Sequence, residues 1–165
     1  MIPWANRVNE LMSRPEYKKV VESLANIHAD KGYKVLTVCD RTEFLEDMHN
    51  RTLDRSVLVI GTTKDRDGQH KLLKENERDI LWGAISIYKE GISENYLSCL
   101  ILGTPINNDP MLKQLIGRIL RLHPGKLTPL IIDIVLKGVT ARKQAATRAG
   151  RYARKGYIVR LLDLS

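Results

Sequence analysis

The chain has 165 residues, 43% of them hydrophobic and only 5% aromatic, which suits one domain with an aliphatic α/β interior. No apolar run approaches the ~18–20 residues of a membrane span, and the opening MIPWANRVNELMSRPEYKK has no apolar segment of the secretory type, so a cytoplasmic protein without membrane contact is expected. The formal net charge of +8 gathers in Lys137, Arg142, Lys143, Arg148, Arg151, Arg154, Lys155 and Arg160, a stretch with no acid, which suits a polyanion partner or a solvated basic helix.

Within residues 4–30, Val8, Leu11 and Met12, then Val20, Val21, Leu24 and Ile27, recur at helical spacing, as one helix or two. KGYKVLTVCD is a glycine stop followed by a buried-type strand over 34–39. Cys39, and Cys99 further on, each sit inside an apolar run with no C-x-x-C partner, which predicts two buried, reduced thiols. In RTEFLEDMHN, Thr42 is the expected N-cap of a helix with Phe44, Leu45 and Met48 on its apolar face. SVLVIG predicts a strand over 56–60, and TTKDRDGQHKLLKENERD a polar loop leading to a charged helix around 70–76.

DILWGAISI predicts a third strand over 80–86, followed by the turn-rich YKEGISEN. YLSCLILGTP predicts a fourth over 98–102, closed by Gly103 and Pro105. A helix over 109–122 comes next, PGK breaks it, and LTPLIIDIVL is a fifth strand over 129–135. A basic helix over 141–155 and a short strand, YIVRLLD, complete the reading.

Apolar strands alternating with helices predict an α/β fold, a parallel sheet covered on both faces and forming a single domain over 1–165. Ligands of such sheets gather where the strands' carboxyl ends meet their loops. Here those loops are DRTE, GTTKD, IYKEGIS, GTPINND and DIVLKG, polar and Gly-rich as an anion-binding edge requires.

The chain contains no G-x-x-x-x-G-K-[ST], no paired acids of the magnesium-binding type at a strand end, no H-E-x-x-H and no G-x-S-x-G. His28, His49, His70 and His123 are not spaced as metal ligands and are read as structural or solvent-exposed. Trp4 and Trp82 are read as packing residues rather than base-stacking platforms. A free-standing catalyst is therefore not expected.

One segment remains unexplained by packing. QLIGRILRLHPGK places Gln114, Gly117, Arg118 and Arg121 at i, i+3, i+4 and i+7, one face of a helix, with Leu115, Ile116, Ile119, Leu120 and Leu122 between them. Two arginines one turn apart are costly against a core, and a mid-helix glycine costs ~1 kcal/mol relative to alanine. Taken alone, the arginines are better explained as surface residues paired with acids.

Taken together, WGAISIYKEGISENYLSCLILGTP and the following QLIGRILR resemble motifs V and VI of superfamily 2 helicases and translocases. KGYKVLTVCDRTEFLEDMHN resembles the motif IV strand and helix of the same C-terminal, second RecA-like lobe. The order and spacing hold over essentially the whole chain. The GIS form and the tail RAGRYARKGYIVRLL are most similar to phage recombination and repair helicases of the UvsW type and to DEAD/DEAH-like phage helicases.

The resemblance implies a RecA-like fold and a lobe that works with a first, N-terminal RecA-like lobe in the same or a separate chain. It implies that Arg118 and Arg121 cross the cleft to ATP on that first lobe. A guanidinium placed there stabilises charge in phosphoryl transfer, an effect worth ~10³–10⁵ in rate. Gly117 would admit the neighbouring lobe closely. Gln114, Gly91, Ser93 and Glu90 match the nucleotide side, with Ser93 where relatives carry aspartate and Glu90 as the neighbouring acid. Arg41, Thr42, Thr62, Thr63, Lys64 and Ser86 match positions on the nucleic-acid backbone, where hydroxyls, amides and lysines make sequence-independent contacts.

ATP and Mg2+ are implied only with the first lobe, none in the isolated chain, which is expected to be inactive. DNA is the expected partner in preference to RNA, in the host cytoplasm if the chain is phage-encoded. Two alternatives stay open: a non-catalytic nucleic-acid-binding module on the same scaffold, and an α/β enzyme gripping a phosphorylated metabolite with Arg118 and Arg121.

Overall fold

A computed structural model describes residues 4–88, 96–104, 109–119, 127–134 and 139–154. Its centre is a five-stranded sheet, β1 (Val35–Cys39), β2 (Ser56–Val59), β3 (Ile80–Ala84), β4 (Cys99–Leu102) and β5 (Leu130–Asp133), in the order β2-β3-β1-β4-β5. All four pairings are parallel; Val35 aligns with Ile80 on one side and with Cys99 on the other. β1, β3 and β4 are buried at every position, as strands covered on both faces must be.

The helices are α1 (Trp4–Ser13), α2 (Pro15–Asp30), α3 (Thr42–Arg51), α4 (Arg66–Lys74), the single turn α5 (Ile85–Tyr88), α6 (Asp109–Ile119) and α7 (Val139–Arg154). Alternation along the strands sorts the core into two layers. Val35, Cys39, Ile80, Trp82 and Ile101 pack on one face against Met12, Val21, Ala25, Phe44 and Met48 of α1–α3. Leu36, Val38, Val59, Leu81 and Leu100 pack on the other against Leu73, Tyr88, Leu115 and Ile116 of α4–α6.

Local chemistry sets the ends of these elements. Residues 4–30 form two helices because Arg14 is extended and Pro15 begins α2, where a missing N–H costs nothing. α2 closes with Gly32 at φ +97°: Gly32 N–H donates to Ala29 and Tyr33 N–H to His28, the paired bonds of a Schellman end.

Several boundaries differ from expectation, and three of the differences bear on the core or on the carboxyl edge. Thr42 is not the N-cap of α3; the extended residue is Arg41, and no side chain caps that end. α4 begins at Arg66 rather than near 70, because the Asp65 carboxylate accepts the Gly68 N–H at 3.0 Å and nucleates the helix earlier. β3 stops at Ala84, and Ile85–Tyr88 turns helical so that Ile85 and Tyr88 both reach the core. The expected strand YIVRLLD and residues 120–122 of the motif-bearing helix lie outside the described residues.

The two cysteines are free and buried, as expected. Burial pushes the Cys39 thiol up to about 12, with the Arg41 backbone bond opposing and Asp40 adding, and burial pushes Cys99 up to about 12 as well. Trp82 is fully buried and its indole N–H donates to Thr52 Oγ1 at 2.9 Å, a packing role.

Arg148 departs from the picture of a basic, solvent-facing tail. It is 2% exposed and forms a bidentate pair with Asp133, Nε to Oδ2 at 2.5 Å and Nη2 to Oδ1 at 3.0 Å. It ties α7 to the end of β5 and offers no charge to a polyanion. Lys143 and Arg154 are exposed.

Candidate nucleotide and nucleic-acid interface

The strand order decides which loops are neighbours. At the carboxyl edge the exits run in the sequence β2, β3, β1, β4, β5. The loop with Thr62, Thr63 and Lys64 therefore lies beside α5 with Ser86, which lies beside Arg41 and Thr42. All six expected backbone-contacting residues fall on three adjacent exits, one half of the edge. α6, with Gln114 and Arg118, follows β4 on the other half.

These residues are not equivalent. Thr62, Lys64, Thr42 and Ser86 are exposed. Thr63 shapes its own loop: its hydroxyl accepts from Ile60 N–H at 3.0 Å and donates to Leu58 O at 3.3 Å. Arg41 is half-buried, its Nε donating to Asn9 Oδ1 at 2.6 Å and its Nη1 2.8 Å from Asp40. It is held toward α1.

Next to Arg41, the crevice at the end of β1 is filled by the chain itself. The connection leaving β1 turns to one face as α3, whereas those leaving β3 and β4 turn to the other as α5 and α6. Sheets of this kind bind ligands where connections diverge in this way. Here the junction of α1 and α2 occupies the space: Met12 Sδ lies 3.7 Å from Cys39 Sγ, and the Tyr17 hydroxyl donates to Gly103 O. Burial, with Cys39 and Asp133 adding, raises the Tyr17 pKa, so the phenol stays protonated as a donor.

On α6, Leu115 and Ile116 face the core while Gln114 and Gly117, the described part of the expected face, are exposed. Among the described residues a Cβ at Gly117 meets nothing within 4 Å, so packing among them does not require a glycine there. Arg118 lies on α6, of which only its place in the helix is described, and Arg121, Glu90, Gly91 and Ser93 lie outside the described residues. Among the described residues no three His, Cys, Asp or Glu side chains converge as a metal site needs, and no helix is long and apolar enough to cross a membrane.

Two features escaped sequence reasoning. The Asp65 cap was legible, an aspartate three residues before Gly68 at the start of a helical pattern. The burial of His70 against Tyr88 and Tyr96 was not, since those residues are 18 and 26 positions away.

No protein-family profile matches the chain. It is 38% identical over 161 residues to the "Probable helicase D10" of Escherichia phage T5, across 94% of this chain and 36% of that protein. It is 31% identical over 140 residues to the "Putative ATP-dependent RNA helicase L396" of Acanthamoeba polyphaga mimivirus, across 82% of this chain and 26% of that protein. The chain thus spans about a third or less of the curated relatives it matches.

Among solved structures it superposes on T4 UvsW with a TM-score of 0.75 at 17% identity, covering 99% of this chain and 38% of that one. It superposes on the C-terminal part of the Fun30 ATPase domain with a TM-score of 0.64 at 20% identity, covering 83% of this chain and 46% of that one. These likenesses show the fold. Sequence similarity makes the chain a homologue of these T5 and mimivirus helicase proteins, and the superpositions give it a RecA-like α/β fold.

Proposed function

We propose that the chain is the second RecA-like lobe of an ATP-dependent nucleic-acid helicase or translocase, completed by an N-terminal RecA-like lobe in the same or a separate polypeptide. The observation that supports this best is the division of the carboxyl edge. Hydroxyl and amine groups suited to phosphate line the exits of β2, β3 and β1, while α6 turns its Gln114 and Gly117 face outward beyond β4.

On this reading Thr62, Lys64, Thr42 and Ser86 contact the phosphodiester backbone, Arg41 contributes its Nη2 donors, and Thr63 holds the loop. Arg118 and Arg121 reach ATP on the first lobe, with Gln114, Gly91, Ser93 and Glu90 on the nucleotide side. ATP and Mg2+ enter with that lobe; the sequence has no G-x-x-x-x-G-K-[ST], and the α1–α2 junction fills the crevice at β1. The chain alone therefore neither hydrolyses ATP nor unwinds. DNA is the proposed partner, and the name of the mimivirus relative makes RNA the second substrate class to test.

The test is Arg118→Ala in a protein holding both lobes. ATPase should fall ~10³–10⁵-fold while single-stranded DNA affinity stays the same. Unchanged ATPase would refute the arginine role. Absence of any ATPase in the wild-type two-lobed protein, with DNA binding intact, would favour the non-catalytic binding module.

A further inference from the structure

α4 hangs from the loop that presents Thr62 and Lys64, and α5 carries Ser86; the two helices follow the adjacent strands β2 and β3. Where they meet, His70 is 4% exposed. Its Nε2 lies 3.1 Å from the Tyr88 hydroxyl, and its Nδ1 is hydrogen-bonded to the Tyr96 hydroxyl. Both phenol rings meet the imidazole edge-on, at 5.9 and 6.2 Å between centroids. One turn along α4, Lys74 Nζ stands 5.8 Å from the centre of the Tyr96 ring.

The backbone is built to admit this cluster. A Cβ on Gly83 of β3 would stand 2.4 Å from Tyr88 Cε2, so Tyr88 lies against the strand only because residue 83 is glycine. The bonding is directional as well. With the imidazole neutral, one nitrogen is a donor and the other an acceptor, so one phenol would donate to His70 and the other accept from it. Filling the volume needs none of this, since three phenylalanines would do so. A buried network with its polar groups paired holds its members in one arrangement.

We propose that His70 is a positioning residue that locks α4 to α5, so that Thr62, Lys64 and Ser86 form one phosphate-binding surface. This rests on the nucleic-acid reading of that edge. His70 touches no phosphate; it acts through the two helices.

The test is binding of labelled single-stranded oligothymidylate by the 165-residue chain across a salt series. Wild type is compared with His70→Phe and with the triple variant His70→Phe, Tyr88→Phe, Tyr96→Phe. The triple variant removes the imidazole and both hydroxyls together, so none of the three is left facing a partner lost from within the trio. It carries the test if the single variant fails to fold. Expected is an affinity about tenfold weaker in the folded triple variant, with a log–log salt slope shallower by about 0.7, one phosphate contact on a single strand.

A protein that is merely less stable would show a lower active fraction and the same slope. Wild-type affinity and slope in the triple variant overturn the positioning role and leave the nucleic-acid reading standing. No binding by the wild-type chain at low salt overturns both.

Discussion

Arg148→Ala removes a guanidinium that is 2% exposed and bidentate to Asp133. Truncating one member of a buried pair costs ~3–5 kcal/mol, because the remaining charge keeps its desolvation without its partner. The Asp133 side chain is 13% exposed, so water relieves part of that penalty, and the lower end, ~3 kcal/mol, is expected. With a urea m-value of ~2 kcal/mol/M, the unfolding midpoint should fall by ~1.5 M. Thermally, ~2–4 °C per kcal/mol for a domain of this size gives a drop of ~6–12 °C. The double variant Arg148→Met, Asp133→Leu should recover most of the loss, since apolar replacement of both partners removes the desolvation cost. Below its melting temperature, folded Arg148→Ala should bind oligonucleotide with the wild-type salt slope. A urea shift under about 0.3 M would refute the burial argument, and a shallower salt slope would return Arg148 to the polyanion-binding surface.

Gly83→Ala should destabilise the fold by ~1–3 kcal/mol, because the new Cβ stands 2.4 Å from Tyr88 Cε2, 2.9 Å from its Cδ2 and 3.1 Å from Leu36 Cδ1. Urea unfolding measures this, and an unchanged midpoint would mean that the Tyr88 ring is not fixed against β3. Burial holds Cys39 and Cys99 near 12, so at pH 8 about one thiol in ten thousand is thiolate, and iodoacetamide should label neither in the native chain and both in urea. Mass spectrometry reads the result; native labelling at the rate of a free thiol would contradict the packing of β1 and β4.

Much of the architecture is legible locally. The run VLTVC is apolar enough to be a doubly covered strand wherever it is placed, and KGYK before it holds the glycine that ends α2. The outward face of α6 follows from the spacing of Leu115 and Ile116 against Gln114 and Gly117. The resemblance to helicases was legible too, because motif order and spacing are linear properties, and the relatives from phage T5 and mimivirus agree with it. Where local reading failed, a competing partner was close at hand. Thr42 has an N-cap's chemistry, but Arg41 has the extended backbone; Ser86 continues an apolar run, but Tyr88 gains more by folding back over Gly83.

Only the tertiary structure decided the rest. Hydrophobic alternation says that a strand is covered on both sides but not which strands are its neighbours. The order β2-β3-β1-β4-β5, which gathers Thr62, Lys64, Ser86 and Thr42 onto one half of the edge, is a choice among pairings that share the same local pattern. Arg148 and His70 make the same point with charge and polarity. Composition marks one as a surface cation and the other as a scattered histidine, and their burial depends on Asp133 fifteen positions away and on two tyrosines from other segments. Desolvation and hydrogen bonding are settled by what surrounds a group in space, and a linear pattern records that only when the partners are within a helical turn or a strand pair.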